Sequence, residues 1–439
     1  MKIYIETLGC PKNEADSQLL KSLLPSGSHI VSTPSEAECV VVNTCAFIQD
    51  AQKESIETLL EYVLQWKQEQ PDKRRVYAWG CLVQRFLKAL QKEIPELDGF
   101  IGVLPVDRIS EGLFSHCLGE RSKPLVLYSE DPDTTCALSS QFFESPPYYA
   151  YVKIGDGCDR NCGFCTIPSF KGPHRSRPMT HICREVEELV RKGKKELILV
   201  DQDTTQYRDG QYSLADLLRS LDAIEGDFWI RVLYTHPDHF DPPLLESFAA
   251  CDKVLPYFDI PIQHASDSVL RAMNRIKGRE DLGAIFRLIR ERIPEAILRS
   301  TVMVGYPGET EEDFEKLVAF LKEARFDRLG VFRFSPEKGA PVNKKRLDKV
   351  GAKVSERRLD EIMTLQQEIS YEKNQRFLGK TFRVLVEAEE SHYVGRTMRD
   401  APDVDGLFDI YTDKQLTLGE FYTCRVTEAD AYDLGGTPE

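Results

Sequence analysis

Residues 149–165 read YAYVKIGDGCDRNCGFC: an apolar run of strand length, a glycine-bearing turn, then three cysteines spaced by three residues and by two. No fourth cysteine follows closely, the next being the isolated Cys183 and Cys251. A structural zinc ion takes four protein ligands, and a zinc ribbon needs a second cysteine pair downstream. A 4Fe-4S cluster is bound by one cysteine per iron. Held by Cys158, Cys162 and Cys165 alone, such a cluster keeps one iron free for a ligand that is not protein.

Downstream of this loop, strand and helix signals alternate. ELILVDQDTTQY, FWIRVLYTHP, YFDIPIQHAS, ILRSTVMVGYPGE and RLGVFRF are separated by helical stretches such as CREVEELVRKG and EEDFEKLVAFLKEA. With YAYVKIGDG this makes six strands, which predicts a partial (β/α) barrel whose chemistry sits at the carboxyl ends of its strands. Polar residues collect there: Gln202, Asp203 and Thr204; Arg231 and Tyr234; Gln263 and His264; Arg299 and Thr301. GYPGET (305–310) lacks the Gly-Lys-Ser/Thr ending of a phosphate loop and reads as a turn, with Thr310 capping the next helix.

Upstream, a unit of apolar strand, cysteine and helix occurs three times, in IYIETLGC, CVVVNTC and VYAWGC. Cys10, Cys45 and Cys81 lie 35 and 36 residues apart, about one βαβ unit each. Right-handed crossovers in a parallel sheet place all three at the carboxyl ends of their strands, where open α/β sheets bind ligands. Zinc on three cysteines and one histidine competes with a second iron-sulfur cluster there. The first ninety residues offer only His29, at the wrong end of its strand. Cys39, Cys117, Cys136, Cys183, Cys251 and Cys424 stand singly and read as small buried apolar residues.

The last seventy residues change to short alternating strands, TFRVLVEAEE, HYVGRTM, FDIYT and FYTCRVTEAD, which suggest a small β-barrel of the oligonucleotide-binding kind. From Tyr371 to Glu439 there are eight Lys plus Arg against fourteen Asp plus Glu, a net of -6. The whole chain carries -14. RNA contact is therefore not favoured by charge, whereas a basic protein partner is. No apolar run reaches membrane length and no export signal opens the chain. A cytoplasmic protein with reduced thiols and no membrane attachment is expected.

The spacing of Cys158, Cys162 and Cys165, with an aromatic Phe164 before the last cysteine, resembles the radical S-adenosylmethionine superfamily. There the cofactor's methionine part fills the vacant iron, and the aromatic position lies near its adenine. The three segments together resemble the methylthiotransferases. ETLGCPKNEADS, GCDRNCGFCTIPSFKG, RSRP, VDQDTTQY and RTMRDAPDVDG are similar to the RimO branch, which modifies ribosomal protein. The MiaB branch, which modifies tRNA, has Gln-Met-Asn where this chain has Pro11, Lys12 and Asn13. Lys171 stands in place of the family's usual Arg, and Asp201 in place of a small residue.

The resemblance implies an α/β chain of three parts: a cluster domain over 1–135, a radical S-adenosylmethionine partial barrel over 136–371 and a TRAM β-barrel over 372–439. It implies two 4Fe-4S clusters, on Cys10, Cys45 and Cys81 and on Cys158, Cys162 and Cys165. S-adenosylmethionine would be lined by Phe164, Gln202, Asp203, Arg231, Gln263 and Arg299. The implied reaction adds a methylthio group to the β-carbon of an aspartate in ribosomal protein twelve of the small subunit. One cofactor molecule methylates a sulfur held at the first cluster and a second yields the radical, so both vacant irons must face one cavity. A low-potential electron donor such as flavodoxin or ferredoxin is expected. The alternatives are a tRNA adenosine methylthiotransferase and a non-catalytic iron-sulfur protein that binds RNA.

Overall fold

Strands β1 (Lys2–Thr7), β2 (His29–Ile30), β3 (Cys39–Thr44), β4 (Arg75–Gly80), β5 (Gly99–Ile101) and β6 (Leu125–Leu127) form one sheet in the order β2-β1-β3-β4-β5-β6, every neighbouring pair parallel. The chain is seen here in a computed structural model that describes residues 1–25, 27–119, 123–132 and 148–439. Cys136 and the boundary expected at 135/136 lie outside the described residues. All six residues of β3, CVVVNT, are buried, as a β-branched run covered on both faces by crossover helices must be. Its side chains alternate between two cores. Val40 and Val42 join Val76, Ala78, Cys81 and Phe170, while Cys39 and Val41 join Ile3, Tyr77, Trp79 and Leu113. Helix α1 (Pro11–Leu23) starts with proline at its first turn, α2 (Gln49–Glu61) follows β3, and α3 (Cys81–Glu93) starts on a cysteine.

Contacts divide the described residues into two compact units where the sequence predicts three. One unit joins the described residues up to 132 to Lys153–Glu188 and Ser335–Pro341; the other joins 148–152 to Leu189–Phe334 and Val342–Glu439. The 158–165 loop thus belongs with the N-terminal sheet. Polar contacts of Lys153 and Lys171, given below, are the reason.

In the second unit, which takes β7 (Tyr149–Lys153) as far as residue 152, that strand makes one three-stranded sheet with β8 (Glu196–Val200) and β9 (Trp229–Val232). A parallel one follows from β10 (Tyr257–Asp259), β11 (Ile297–Val304) and β12 (Arg328–Arg333). Main-chain bonds from Leu255 to Ile230 O (2.8 Å) and from Thr235 to Asp259 O (3.0 Å) carry the first sheet into the second. These are the six strands the sequence predicts. Thr310 caps its helix reciprocally with Asp313, so GYPGET is a turn into a helix.

The C-terminal segment closes a five-stranded barrel, β13 (Thr381–Glu389), β14 (Tyr393–Thr397), β15 (Phe408–Ile410), β16 (Phe421–Ala429) and β17 (Leu434–Pro438), in the order β13-β14-β15-β17-β16. Val384, Val386, Phe408, Ile410 and Cys424 fill it. Strand β17, LGGTP, has no apolar alternation and gives no sequence signal. The loop after β14 packs on the residues that open the central strands. Arg231 is fully buried; it donates to Glu196 (2.6 Å) and to the carbonyls of Met398 and Asp400 (both 3.1 Å). Arg396 meets Glu196 at 2.7 Å, Asp400 pairs with Arg328, Tyr149 donates to Asp403 (3.1 Å) and Tyr257 to Asp405. Tyr149, Glu196, Tyr257 and Arg328 each open a strand, so the loop seals the amino ends of the strands. No helix among the described residues is long and apolar enough to cross a membrane.

Candidate metal centre

Three adjacent parallel strands end in the three N-terminal cysteines. After β1 the chain turns at Gly9, with φ +91°, where a Cβ would lie 2.5 Å from Cys45 Cβ and 2.8 Å from its sulfur. Only a residue without a side chain lets the Cys10 turn press so closely on Cys45. Cys10 caps α1, and Cys81 opens α3 after a second positive-φ glycine, Gly80. Ser55 fixes the Cys45 backbone twice, accepting from its N–H and donating to its carbonyl, both at 3.0 Å.

A buried polar knot joins these strand ends. Asn13 Nδ2 donates to Leu8 O (2.7 Å) and Thr44 O (3.3 Å), while Asn43 Nδ2 donates to Asn13 O and Ser17 Oγ, both at 2.9 Å. Such a network orders its neighbourhood because each buried amide left unpaired would be costly. Sequence reading gave Asn43, Ser17 and Ser55 no role. Asparagine inside the apolar run CVVVNT was the available signal.

The three thiols interact electrostatically: Cys10 with Cys45, and both with Cys81. Burial pushes the Cys45 thiol up and the Cys81 thiol up to about 12, with Lys171 pulling Cys81 back. A bound cationic group would have to overcome that burial to take them as thiolates. Among the described residues, no three His, Cys, Asp or Glu side chains converge as ligands of a single ion would. Ligands of a four-iron cluster each bind a different iron and stand further apart.

The second triad lies in a tight loop. Cys158 N–H donates to Gly172 O and Cys165 N–H to Cys162 O, both at 3.1 Å. Backbone N–H groups also point at sulfur, from Arg160 to Cys158 Sγ (3.4 Å) and from Ile167 to Cys165 Sγ (3.5 Å). Amide donors of this kind stabilise thiolate ligands and tune a cluster held by them. Phe164, between the last two cysteines, is half-buried.

A buried chain of ions ties this loop to the first triad. Asp16 on α1 meets Lys153 at 2.9 Å, Lys153 meets Asp156 at 2.7 Å, and Lys171 meets Asp156 at 3.1 Å. Burial opposes the Asp156 charge, but the two lysines outweigh it and hold the carboxyl far below its ordinary range. Lys171 is likewise held in its charged form against burial, by Asp156 and then Cys81. Asn13, Asn43, Cys81, Lys153 and Lys171 line one small polar pocket. Phe170 shares the apolar cluster of Cys81, with Ile167 packed against it. The unit that holds both triads thus joins them through a charge chain and a common core.

The other expected cofactor residues lie in the second unit. Gln202 and Asp203 follow β8, and Gln263 follows β10 with φ +68°; Tyr234, after β9, has φ +59°. Left-handed backbone at two non-glycine strand ends is strain of the kind that gathers at functional sites. Gln202 Oε1 is buried with no partner among the described residues, while Asp203 accepts from Thr205 N–H (3.1 Å) and Gln206 Nε2 (2.9 Å). Arg231 and Arg299 lie inside strands. Arg299 pairs with Asp259 (2.9 Å) and Asp405 (3.6 Å) and, like Arg231, faces the loop that seals the amino ends.

Comparison with known proteins gives three segments. The Radical SAM superfamily matches residues 152–321, Uncharacterized protein family UPF0004 matches 2–102 and the TRAM domain matches 378–438. The chain is 47% identical over 441 residues to the ribosomal protein uS12 methylthiotransferase RimO of Thermosipho africanus, covering 99% of each. It is 44% identical over 447 residues to that of Thermotoga maritima, covering 100% of each. Among solved structures, the radical S-adenosylmethionine methyltransferase TsrM of Kitasatospora setae, with cobalamin and a [4Fe-4S] cluster bound, aligns over 76% of each chain with a TM-score of 0.57 and 15% identity, a likeness of fold.

Proposed function

The chain belongs to the family of ribosomal protein uS12 methylthiotransferases called RimO, and from that premise we propose that it adds a methylthio group to the β-carbon of an aspartate of uS12. It is a radical S-adenosylmethionine enzyme. Cys158, Cys162 and Cys165 would hold the 4Fe-4S cluster of the radical half, and Cys10, Cys45 and Cys81 a second one. Bound there, the two clusters and S-adenosylmethionine supply one-electron cleavage of a sulfonium and a place to hold sulfur.

The protein's share is positioning and charge. Gly9 and Gly80 let Cys10 and Cys81 turn in beside Cys45, and the Asn13–Asn43 knot holds that turn. Lys171 keeps a cation beside Cys81 in a small pocket that both residues line. For the cofactor we assign Phe164, Gln202, Asp203 and Gln263; Arg231, which donates to Glu196 and to the Met398 and Asp400 carbonyls, and Arg299, paired with Asp259 and Asp405, we assign to sealing the barrel. The net of -6 over residues 371–439 favours a basic ribosomal protein as partner. A low-potential donor such as flavodoxin or ferredoxin would supply the electrons.

The carrying observation is the ion chain from Asp16 to Lys171 and Cys81, which builds both cysteine triads into one compact unit. The test is reconstituted protein with reductant, S-adenosylmethionine and either uS12 or tRNA. Wild type should form 5'-deoxyadenosine and methylthiolate uS12. Cys162→Ala should do neither, and Cys45→Ala should cleave the cofactor without transferring the group. Methylthiolated tRNA with unmodified uS12 would overturn the substrate assignment, and methylthio transfer by Cys45→Ala would overturn the role of the first triad.

A further inference from the structure

Two cysteines that the sequence leaves to the core as separate residues meet in the fold. Cys39 opens β3 and is 1% exposed; Cys117, near the end of α4 (Val106–Leu118), is half-buried; their sulfurs stand 3.8 Å apart. The pair sits at the amino end of β3, whereas Cys45 follows its carboxyl end, roughly 20 Å away at strand rise. It is therefore separate from the cysteines assigned to clusters.

The surroundings make the two thiols unequal. Cys117 Sγ lies 3.2 Å from the Tyr77 hydroxyl, which in turn lies 2.8 Å from His116 Nδ1. Arg75 donates to the His116 carbonyl and so places its guanidinium in the same cluster. In the thiol form Cys117 donates its one proton to Cys39 or to Tyr77; once ionised, it accepts from both. Hydrogen bonding by Cys39, then Tyr77 and the Arg75 charge, holds the Cys117 thiol below its ordinary range against burial, whereas burial pushes Cys39 well up. A half-buried, more acidic sulfur touching a fully buried, less acidic one is the division of labour between an attacking and a resolving thiol.

We propose that Cys39 and Cys117 form a redox-active dithiol site that reacts with low-molecular-weight disulfides and closes to an intramolecular disulfide joining β3 to α4. The Cys117 thiolate attacks one sulfur of the incoming disulfide, forming a mixed disulfide and releasing one thiolate. Cys39 then gives up its proton and attacks the Cys117 sulfur, and the second small thiolate leaves. Two protein thiols are oxidised and one small disulfide is reduced to two thiols, so no other oxidant is needed. Closing the bond takes the sulfurs from 3.8 Å to about 2.05 Å, a movement of about 1.8 Å.

The test is anaerobic incubation of the full-length protein with oxidised glutathione, acid quenching, alkylation and non-reducing peptide mapping. Wild type should yield a Cys39–Cys117 cross-linked peptide at least tenfold faster than any glutathione adduct at the isolated Cys251 or Cys424. Cys39→Ser should stop at a stable Cys117–glutathione adduct, and Cys117→Ser should give neither product. Absence of the cross-link in wild type, or a stable single adduct on Cys117 with Cys39 still alkylated, would overturn the proposal. So would oxidation of Cys251 or Cys424 at an equal rate.

Discussion

Replacing Gly9 with alanine tests the packing that brings Cys10 to Cys45. The new methyl would stand 2.5 Å from Cys45 Cβ and 2.8 Å from its sulfur, on a backbone with φ +91°. Left-handed backbone costs alanine about 1–2 kcal/mol, and forcing a methyl into a filled site costs about 1–3 kcal/mol more. The total is about 2–5 kcal/mol if the turn keeps its place. If it gives way, separating the carbons to ordinary contact moves the Cys10 turn by about 1 Å, well beyond the roughly 0.2 Å tolerance of a metal–ligand bond. Gly193→Ala is the control: φ is +88° there and nothing lies within 4 Å of the added methyl, so only the backbone cost applies. Iron and sulfide are measured on anaerobically reconstituted protein, and stability by urea unfolding. Wild type and Gly193→Ala should bind about eight irons and Gly9→Ala about four, from the loss of one four-iron cluster. If Gly9→Ala keeps about eight irons and unfolds no earlier than Gly193→Ala, the three strand ends do not converge as described.

Other perturbations probe separate parts of the molecule. Arg231→Met removes one of two arginines on buried Glu196 and two bonds to the 396–405 loop, which should cost about 3–5 kcal/mol in urea unfolding; a loss below 1 kcal/mol would refute the seal. Lys171→Met leaves Asp156 with Lys153 alone and should lower iron bound at the first triad severalfold, whereas Lys171→Arg should retain it. Burial pulls Lys373 down to about 8, against Asp327 at 2.9 Å. The unfolded chain holds that proton to about pH 10.4. More protons are then bound unfolded than folded between these values, so stability rises with pH across the window, by about 3 kcal/mol at most. The rise should be absent from Lys373→Met when the two proteins are unfolded in urea at pH 7.5 and 10.

Much of the architecture was legible because its signals are periodic. The apolar run CVVVNT and the six strands from YAYVK to RLGVFRF each announce a buried parallel strand, and a cysteine at a constant phase marks a common edge. What stayed hidden depends on distant partners. Arg231 and Arg299, polar residues amid apolar strands, look like cofactor ligands in sequence, yet Arg231 donates to Glu196 and to the Met398 and Asp400 carbonyls and Arg299 pairs with Asp259 and Asp405, all distant in sequence. Cys39 and Cys117 look isolated because 78 residues separate them, although β3 and α4 bring them together. Strand β17 was missed because glycines replace the expected alternation, and the grouping of the 158–165 loop with the N-terminal sheet rests on Lys153 and Lys171, which have no pattern in sequence.

Sealing of the central strands by the loop after β14 bears on how the C-terminal domain can be handled. The family boundary at residue 378 cuts between covalently joined modules, yet Glu196 and Arg328 on one side neutralise Arg396 and Asp400 on the other, and Arg231 donates to the Met398 and Asp400 carbonyls. Excising the barrel would strand buried charges at the base of the strands that remain. Transplanting it onto a relative would succeed only if those partners travelled with it. The portable piece in evolution is therefore larger than the domain its sequence outlines.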